Sequence, residues 1–309
     1  MTAAHRVGLV GCGNWGRHIL RDLRELGCEV EVVARSEESS ARAREGGAAR
    51  IVGAVDELRD PAGIVVATPD ATHAAVLGPA LAHGVPVFCE KPLTVDPASA
   101  CRFAETGGER LFVMHKWRDH PGIEALRDLT RAEELGALVG IQCRRVGWGM
   151  AHPESDATWH IATHDLSIAL EILGALPEPR AAVAERVGER PIGITGFLGD
   201  DPWVAIEASS ARHERRRQVQ LFFTDGVAWL PEPYADAIAV ARADKIGEDP
   251  EWRPISTELP LMRQLRAFVA HLDGGPAPGT SAADAARIVA ALGRLRELAG
   301  LPAGAPEAT

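Results

Sequence analysis

Between residues 5 and 118 short apolar runs alternate with longer amphipathic stretches. Strands covered on both faces read as nearly continuous apolar runs, and a helix between two of them returns the chain parallel to itself, so this alternation predicts a doubly wound parallel sheet. Strands are expected at residues 6–10, 29–33, 49–52, 64–67, 86–89 and 111–114. Helices are expected at 14–26, 37–45, 72–83 and 97–106, each beginning near a capping residue or a proline.

Beyond a further amphipathic stretch at 121–135 the pattern changes. Segments with period-two or apolar character at 138–146, 181–187, 203–209, 218–223, 227–230 and 237–242 follow one another with turns between them, which predicts an antiparallel sheet. Helices are expected at 163–173, 260–272 and 281–298, and the Pro/Ala/Gly/Glu segment 301–309 reads as a disordered tail. The fold class is therefore an α/β domain at 1–119 followed by an α+β domain at 120–300 with a large, mostly antiparallel open sheet. The basic run 212–217 reads as a solvated hairpin turn between two of its strands.

The chain of 309 residues carries 33 Lys+Arg against 43 Asp+Glu, a net charge of −10, which argues against a nucleic-acid partner. No apolar run reaches membrane-spanning length, and the amino terminus reads as a strand and a glycine turn rather than a signal peptide, so a cytoplasmic protein is expected. Five cysteines without metal-site spacing fit reduced thiols. Lysine is rare: Lys91, Lys116 and Lys245 are its whole complement.

Gly11-Cys12-Gly13-Asn14-Trp15-Gly16 follows the first strand and opens the first helix. Glycines there permit a tight turn and close approach of backbone to a pyrophosphate, with the helix amino end facing the anion. A dinucleotide site is expected. Where an acidic residue would hold the ribose of NAD, this chain has Arg35 and Ser36. They favour NADP over NAD through its 2′-phosphate, with adenine stacking or solvent exposure as the alternative for Arg35.

Together with Gly11–Gly16, the segments Ala67-Thr68-Pro69-Asp70-Ala71-Thr72-His73, Glu90-Lys91-Pro92-Leu93-Thr94 and Thr163-His164-Asp165-Leu166 resemble the Gfo/Idh/MocA oxidoreductases along nearly the whole chain. Val113-Met114-His115, His120-Pro121 and the stretch 159–167 look most like the branch of nucleotide-sugar and sugar 3-dehydrogenases. The resemblance implies hydride transfer between NAD(P) and a carbinol or carbonyl carbon of a sugar, polyol or nucleotide-sugar-like substrate. It also implies cofactor contacts from Thr68, Pro69, His73, Glu90 and Lys91, and a homodimer or homotetramer formed through the second sheet. Its catalytic lysine matches Lys91 and its histidine matches His164, whereas the usual aspartate four residues earlier is His160 in this chain.

The chemistry fits those roles. An ammonium at the carboxyl edge of a parallel sheet can donate to a reacting oxygen, and an imidazole titrates near neutrality and can move the hydroxyl proton. Around them His160, Trp159, His115, Lys116, Trp148 and Asp165 are expected substrate contacts, the tryptophans having core packing as their alternative. His160 and His164 stand at zinc-ligand spacing, but no third ligand is evident and no metal is expected. An imine reductase, an NAD-dependent glycosidase that recycles its cofactor, and a non-catalytic cofactor-binding sensor are the competing readings.

Overall fold

The computed structural model describes residues 5–149, 156–245 and 247–305. They divide into two compact units. The first contains six parallel strands in the order β3-β2-β1-β4-β5-β6: β1 (Arg6–Val10), β2 (Glu29–Val33), β3 (Arg50–Val52), β4 (Gly63–Val66), β5 (Val87–Glu90) and β6 (Leu111–Met114). Helices α1 (Gly16–Glu25), α2 (Glu37–Glu45), α3 (His73–Ala82) and α4 (Pro97–Gly107) connect them. Every strand runs the same way, so the loops after β1, β2, β4, β5 and β6 collect at one edge of the sheet. Strand order reverses between β1 and β4, the place where doubly wound sheets bind ligands.

The division of the chain differs from a single boundary near residue 119. After the second unit's sheet the chain returns, and 261–286 belong to the first unit. Helix α7 (Pro260–Leu272) places Leu261, Leu265 and Phe268 in the buried cluster with Val7, Leu9, Val30 and Val65. Phe268 stacks on Phe88 at 5.2 Å. Gly63 in β4 accommodates this helix, since a Cβ there would lie 2.9 Å from Phe268 and Leu272. An amphipathic pattern identifies a helix but does not say which apolar face it covers, which is why the return was not legible.

The second unit is an eight-stranded sheet in the order β14-β13-β12-β11-β7-β10-β9-β8. Its strands are β7 (Leu138–Val146), β8 (Pro179–Val187), β9 (Arg190–Leu198), β10 (Trp203–Ser209), β11 (Arg216–Phe223), β12 (Gly226–Leu230), β13 (Ala237–Arg242) and β14 (Glu251–Pro254). All neighbours are antiparallel except β7 and β10. Two strands escaped the sequence pattern. Strand β9 contains two glycines and a proline, and β14 is a short, exposed edge strand with a terminal proline. The run 212–217 is not a hairpin turn: β10 and β11 each pair with β7, so this segment crosses from one side of β7 to the other.

Helices α5 (Pro121–Arg131) and α6 (Ala157–Leu173) pack on the inner face of this sheet. Helix α6 begins six residues earlier than expected because Asp156 caps it, accepting from the Thr158 amide at 2.9 Å. The last helix, α8 (Ala282–Leu298), is divided between the units after Ala286. Among the described residues no helix is long and apolar enough to cross a membrane.

The tail also departs from expectation through residue 305, the remainder lying outside the described residues. Arg296 is 2% exposed; its guanidinium donates to Asp156 Oδ2 at 2.5 Å, to Thr158 Oγ1 and to the Pro302 carbonyl at 2.9 Å. It also lies 5.3 Å over the Trp159 ring. One buried charge thus joins the start of α6, the end of α8 and the tail. Removing one partner of a buried pair leaves the other uncompensated, at a cost of about 3 kcal/mol. Arg296→Met is therefore expected to lower the denaturation midpoint by that amount, and adding Asp156→Asn should recover part of it in chemical denaturation.

Candidate active site

In the first unit the site is built at the carboxyl edge of the parallel sheet. Gly11 leaves β1 with φ +93°, and a Cβ there would lie 2.8 Å from the Ala67 carbonyl oxygen. A Cβ on Gly16 would lie 2.3 Å from the carbonyl oxygen of Gly11, whereas at Gly13 it would meet nothing within 4 Å. The three glycines are thus distinguishable: the outer two close the turn and the middle one leaves its backbone open to a ligand. Asn14 is exposed beside it. No side chain caps α1, whose amino end points at this loop.

The loop is braced from two directions. The Cys12 amide donates to Ser39 Oγ at 3.1 Å, and the Ser39 amide donates to Ser36 Oγ, the N-cap of α2, at 3.2 Å. On the other side the Trp15 indole N–H donates to Glu90 Oε1, while Glu90 Oε2 accepts from the Lys91 amide at 3.1 Å. Glu90 therefore joins the glycine turn to the backbone of the candidate lysine. Lys91 itself is 8% exposed. Trp15 lies in the glycine motif and Glu90 is an expected cofactor contact by resemblance; neither source indicates that they bond to each other.

After β4, Thr68 Oγ1 is buried and has no hydrogen-bond partner, and Pro69 follows it. A buried orphan hydroxyl is costly unless a ligand satisfies it. With the open Gly13 backbone and the uncapped α1, it makes this edge a fit for a dinucleotide. Of the residues placed there by resemblance, His73 does something else. It is 1% exposed, and its ring nitrogens lie 2.7 Å from the Pro92 carbonyl oxygen and 3.0 Å from that of Thr68. Its position is that of a clamp between the loops after β4 and β5. Arg35 and Ser36 stand at the end of β2, where no carboxylate precedes α2. His115 follows β6 and is 1% exposed.

In the second unit the Thr163-His164-Asp165-Leu166 motif lies within α6 rather than opening it. His160 and His164 are one turn apart and are the half-buried positions among otherwise buried neighbours on the helix, so they share a face. His164 keeps Nδ1 buried. Among the described residues no group of three His, Cys, Asp or Glu side chains could hold a metal.

Two expected substrate contacts have other surroundings. Trp159 is fully buried under Arg296, so its indole packs in the core. Asp165 is 1% exposed and accepts from Arg145 Nε at 2.9 Å, so its carboxylate is committed to the sheet below. Burial pushes its carboxyl upward, and Arg145 opposes that shift. Trp148, by contrast, is 80% exposed just after β7, and Lys116 is half-buried where the second unit begins.

Arg145 was not singled out from the sequence, though a signal existed. In β7 the inward positions are Ile141, Cys143 and then Arg145. An arginine on the apolar register of a strand requires a buried partner.

Residues 5–115 match the profile of the GFO_IDH_MocA oxidoreductase family, NAD-binding Rossmann fold. An inositol 2-dehydrogenase of Leifsonia xyli subsp. xyli is 34% identical over 253 residues, covering 74% of this chain and 73% of its own. An inositol 2-dehydrogenase of Burkholderia cenocepacia is 26% identical over 307 residues, 90% of this chain and 89% of its own. Among solved structures, a UDP-N-acetylglucosamine 3-dehydrogenase from Acidithiobacillus ferrooxidans superposes with a TM-score of 0.82 at 23% identity, covering 96% of this chain and 98% of that one. With the parallel sheet, the glycine turn and the Glu90-Lys91-Pro92 edge already in place, these likenesses establish that the chain belongs to the Gfo/Idh/MocA family of oxidoreductases.

Proposed function

We propose that this protein interconverts a carbinol and a carbonyl carbon of a sugar, polyol or nucleotide-sugar-like substrate, with Lys91 polarising the reacting oxygen and His164 moving its proton. The observation that carries the reading is the setting of Lys91: a nearly buried ammonium-bearing residue directly after β5, its backbone tied through Glu90 to the glycine turn. The nicotinamide, when bound, supplies the acceptor or donor of the hydride. During oxidation Lys91 Nζ donates a hydrogen bond to the substrate oxygen and stabilises its alkoxide character as the C–H bond breaks. The hydroxyl proton passes to His164 Nε2, because the other ring nitrogen is buried in the helix packing. Reduction runs the same proton back.

Arginine could not replace Lys91 in this task, since its guanidinium is broader and does not give up a proton. Lys91→Met is expected to reduce kcat by at least about 100-fold, the scale on which a positioned donor acts, while the cofactor still binds. Near-normal turnover in the variant would overturn the assignment.

The cofactor reading favours NADP. Arg35 supplies a guanidinium and Ser36 a hydroxyl at the end of β2, both suited to a 2′-phosphate. A charge-assisted hydrogen bond contributes about 1.5–3 kcal/mol, so NADP⁺ should bind about tenfold or more tightly than NAD⁺. Arg35→Ala should remove that preference; equal affinities in the unaltered protein would refute it.

The outer face of the second sheet supports self-association. Val183, Phe197 and Trp252 are 70%, 50% and 55% exposed, and between them Trp203 lies against Phe222 at 5.2 Å over Gly140. Exposed large apolar side chains on one sheet face mark an interface. A dimer or tetramer is expected by light scattering, and Phe197→Glu should shift it toward monomer.

A further inference from the structure

Arg217 opens a question that the catalytic pair does not answer. Strands β7 and β11 are antiparallel, and their register sets Arg217 directly opposite Arg145. Both stand on the inner face, in line with the cross-strand pairs Cys143–Val219 and Ile141–Leu221. Like charges paired across strands are unfavourable, and on an inward face they lose the solvent that would screen them.

The neighbouring groups do not cancel this charge. Arg145 is 4% exposed, bonded to Asp165 Oδ1 and stacked 4.3 Å from the Trp117 ring. Asp165 is thus spoken for on one oxygen; its other oxygen is buried with no hydrogen-bond partner. Trp117 in turn stacks on His120 at 5.0 Å. The tautomer of His120 follows from its bonds. Its Nδ1 accepts from the Gly122 amide at 3.0 Å, so Nε2 carries the proton and donates to the Pro233 carbonyl at 2.9 Å. An imidazole carries no negative charge in either form, so His120 adds no countercharge to the arginines.

Among the described residues, two guanidiniums therefore face one carboxylate. Arg217 Nε is enclosed without a hydrogen-bond partner, although the residue as a whole is only half-buried and keeps part of its fork accessible. Burial, then Arg145 and Arg215, disfavour its charged form, while Tyr234 and Asp165 favour it. A buried donor left unsatisfied is costly, and a ligand oxyanion would remove that cost. Guanidinium forks match carboxylate and phosphate oxygens in pairs. Asp165 is the residue after His164 on α6, so this excess charge lies beside the helix that carries the proton-moving imidazole.

We infer that Arg217, backed by Arg145, forms an oxyanion subsite in the second unit, and that the substrate is an acidic carbohydrate bearing a carboxylate or phosphate rather than a neutral polyol. The inference deepens the proposed oxidoreductase reading and rests on its placement of the substrate at His164. Asp165 holds Arg145 in position, and Arg217 contacts the ligand.

The test is calorimetric binding to the full-length protein, with and without saturating NADP⁺, followed by turnover of the same panel. The panel pairs a sugar acid, a sugar phosphate and a nucleotide sugar with neutral glucose and myo-inositol, so that carboxylate and phosphate are separated. At least one acidic compound is expected to bind about tenfold or more tightly than its neutral counterpart, a difference of about 1.4 kcal/mol. Arg217→Gln should erase that preference and Arg217→Lys should keep part of it, with unchanged circular dichroism melts checking the fold. Lys91→Met should keep the preference for the acidic compound over its neutral counterpart while losing turnover. Equal binding of neutral and acidic compounds, or a preference that survives in Arg217→Gln, overturns the subsite. Arg217-dependent binding without any cofactor turnover would leave the subsite standing and defeat the oxidoreductase reading; turnover confined to neutral sugars would do the reverse.

Discussion

The ion pair between Arg145 and Asp165 fixes the chemistry of the second unit. Both partners are almost fully buried, one on the inward register of β7 and the other in the middle of α6. A helix lying on a sheet by apolar contact alone can rotate or slide by a residue at modest cost, because dispersion contacts are individually weak and non-directional. A buried charged hydrogen bond at 2.9 Å does not permit that. Rotating α6 by one residue would strand both charges, at several kcal/mol each. His160 and His164 therefore share the half-buried face because Asp165 is held on the adjacent, buried one. Arg296 performs the same service at the helix start, where it holds the capping Asp156 and covers Trp159.

The first unit reaches order by another route. Its edge is assembled mainly from backbone and small residues, and two side chains link what the sheet topology brings close. His73 spans the carbonyls of Thr68 and Pro92, so the loops after β4 and β5 move together. Glu90 spans Trp15 and the Lys91 amide, so the glycine turn and the candidate lysine are parts of one hydrogen-bonded frame. Preorganisation of this kind is what positions a donor toward charge that develops during reaction. Thr68 Oγ1 and the backbone at Gly13 stay available within that frame.

The sequence made the strands of the first unit legible almost residue by residue, because buried parallel strands are short apolar runs with sharp ends. Strands β1, β2 and β6 begin and end where the pattern places them. Glycine-containing β9 and edge strand β14 lacked that signature, and the return of α7 to the first unit depends on tertiary packing that no local pattern encodes. The site divides along the same line. The glycine turn is readable because its chemistry demands a residue type at a spacing, whereas Lys91 and His164 enter through the motifs of the resemblance and their roles are proposed. The roles of Trp159, His73 and Asp165 were misplaced because aromatic, imidazole and carboxylate groups serve burial networks as readily as substrates, and only the partner decides.

Net charge and local charge pull in opposite directions here, and the contrast explains why arginine sits where it does. At −10 the molecule's overall field repels an anionic substrate at long range, but exposed charges are screened beyond roughly 10 Å at ordinary ionic strength. Capture of an anion then depends on charges that solvent cannot screen. The inward pair on β7 and β11 meets that requirement, since Arg145 is sealed between Trp117 and Asp165 and Arg217 is half-enclosed beside it. Lysine at these positions would give up the fork geometry and lose its proton more readily on burial. At position 91 the preference reverses, because in its proposed role the group donates to a single oxygen whose charge changes during the reaction. Arginine for holding a fixed anion and lysine for following a developing one is a division of labour that the scarcity of lysine in this chain makes visible.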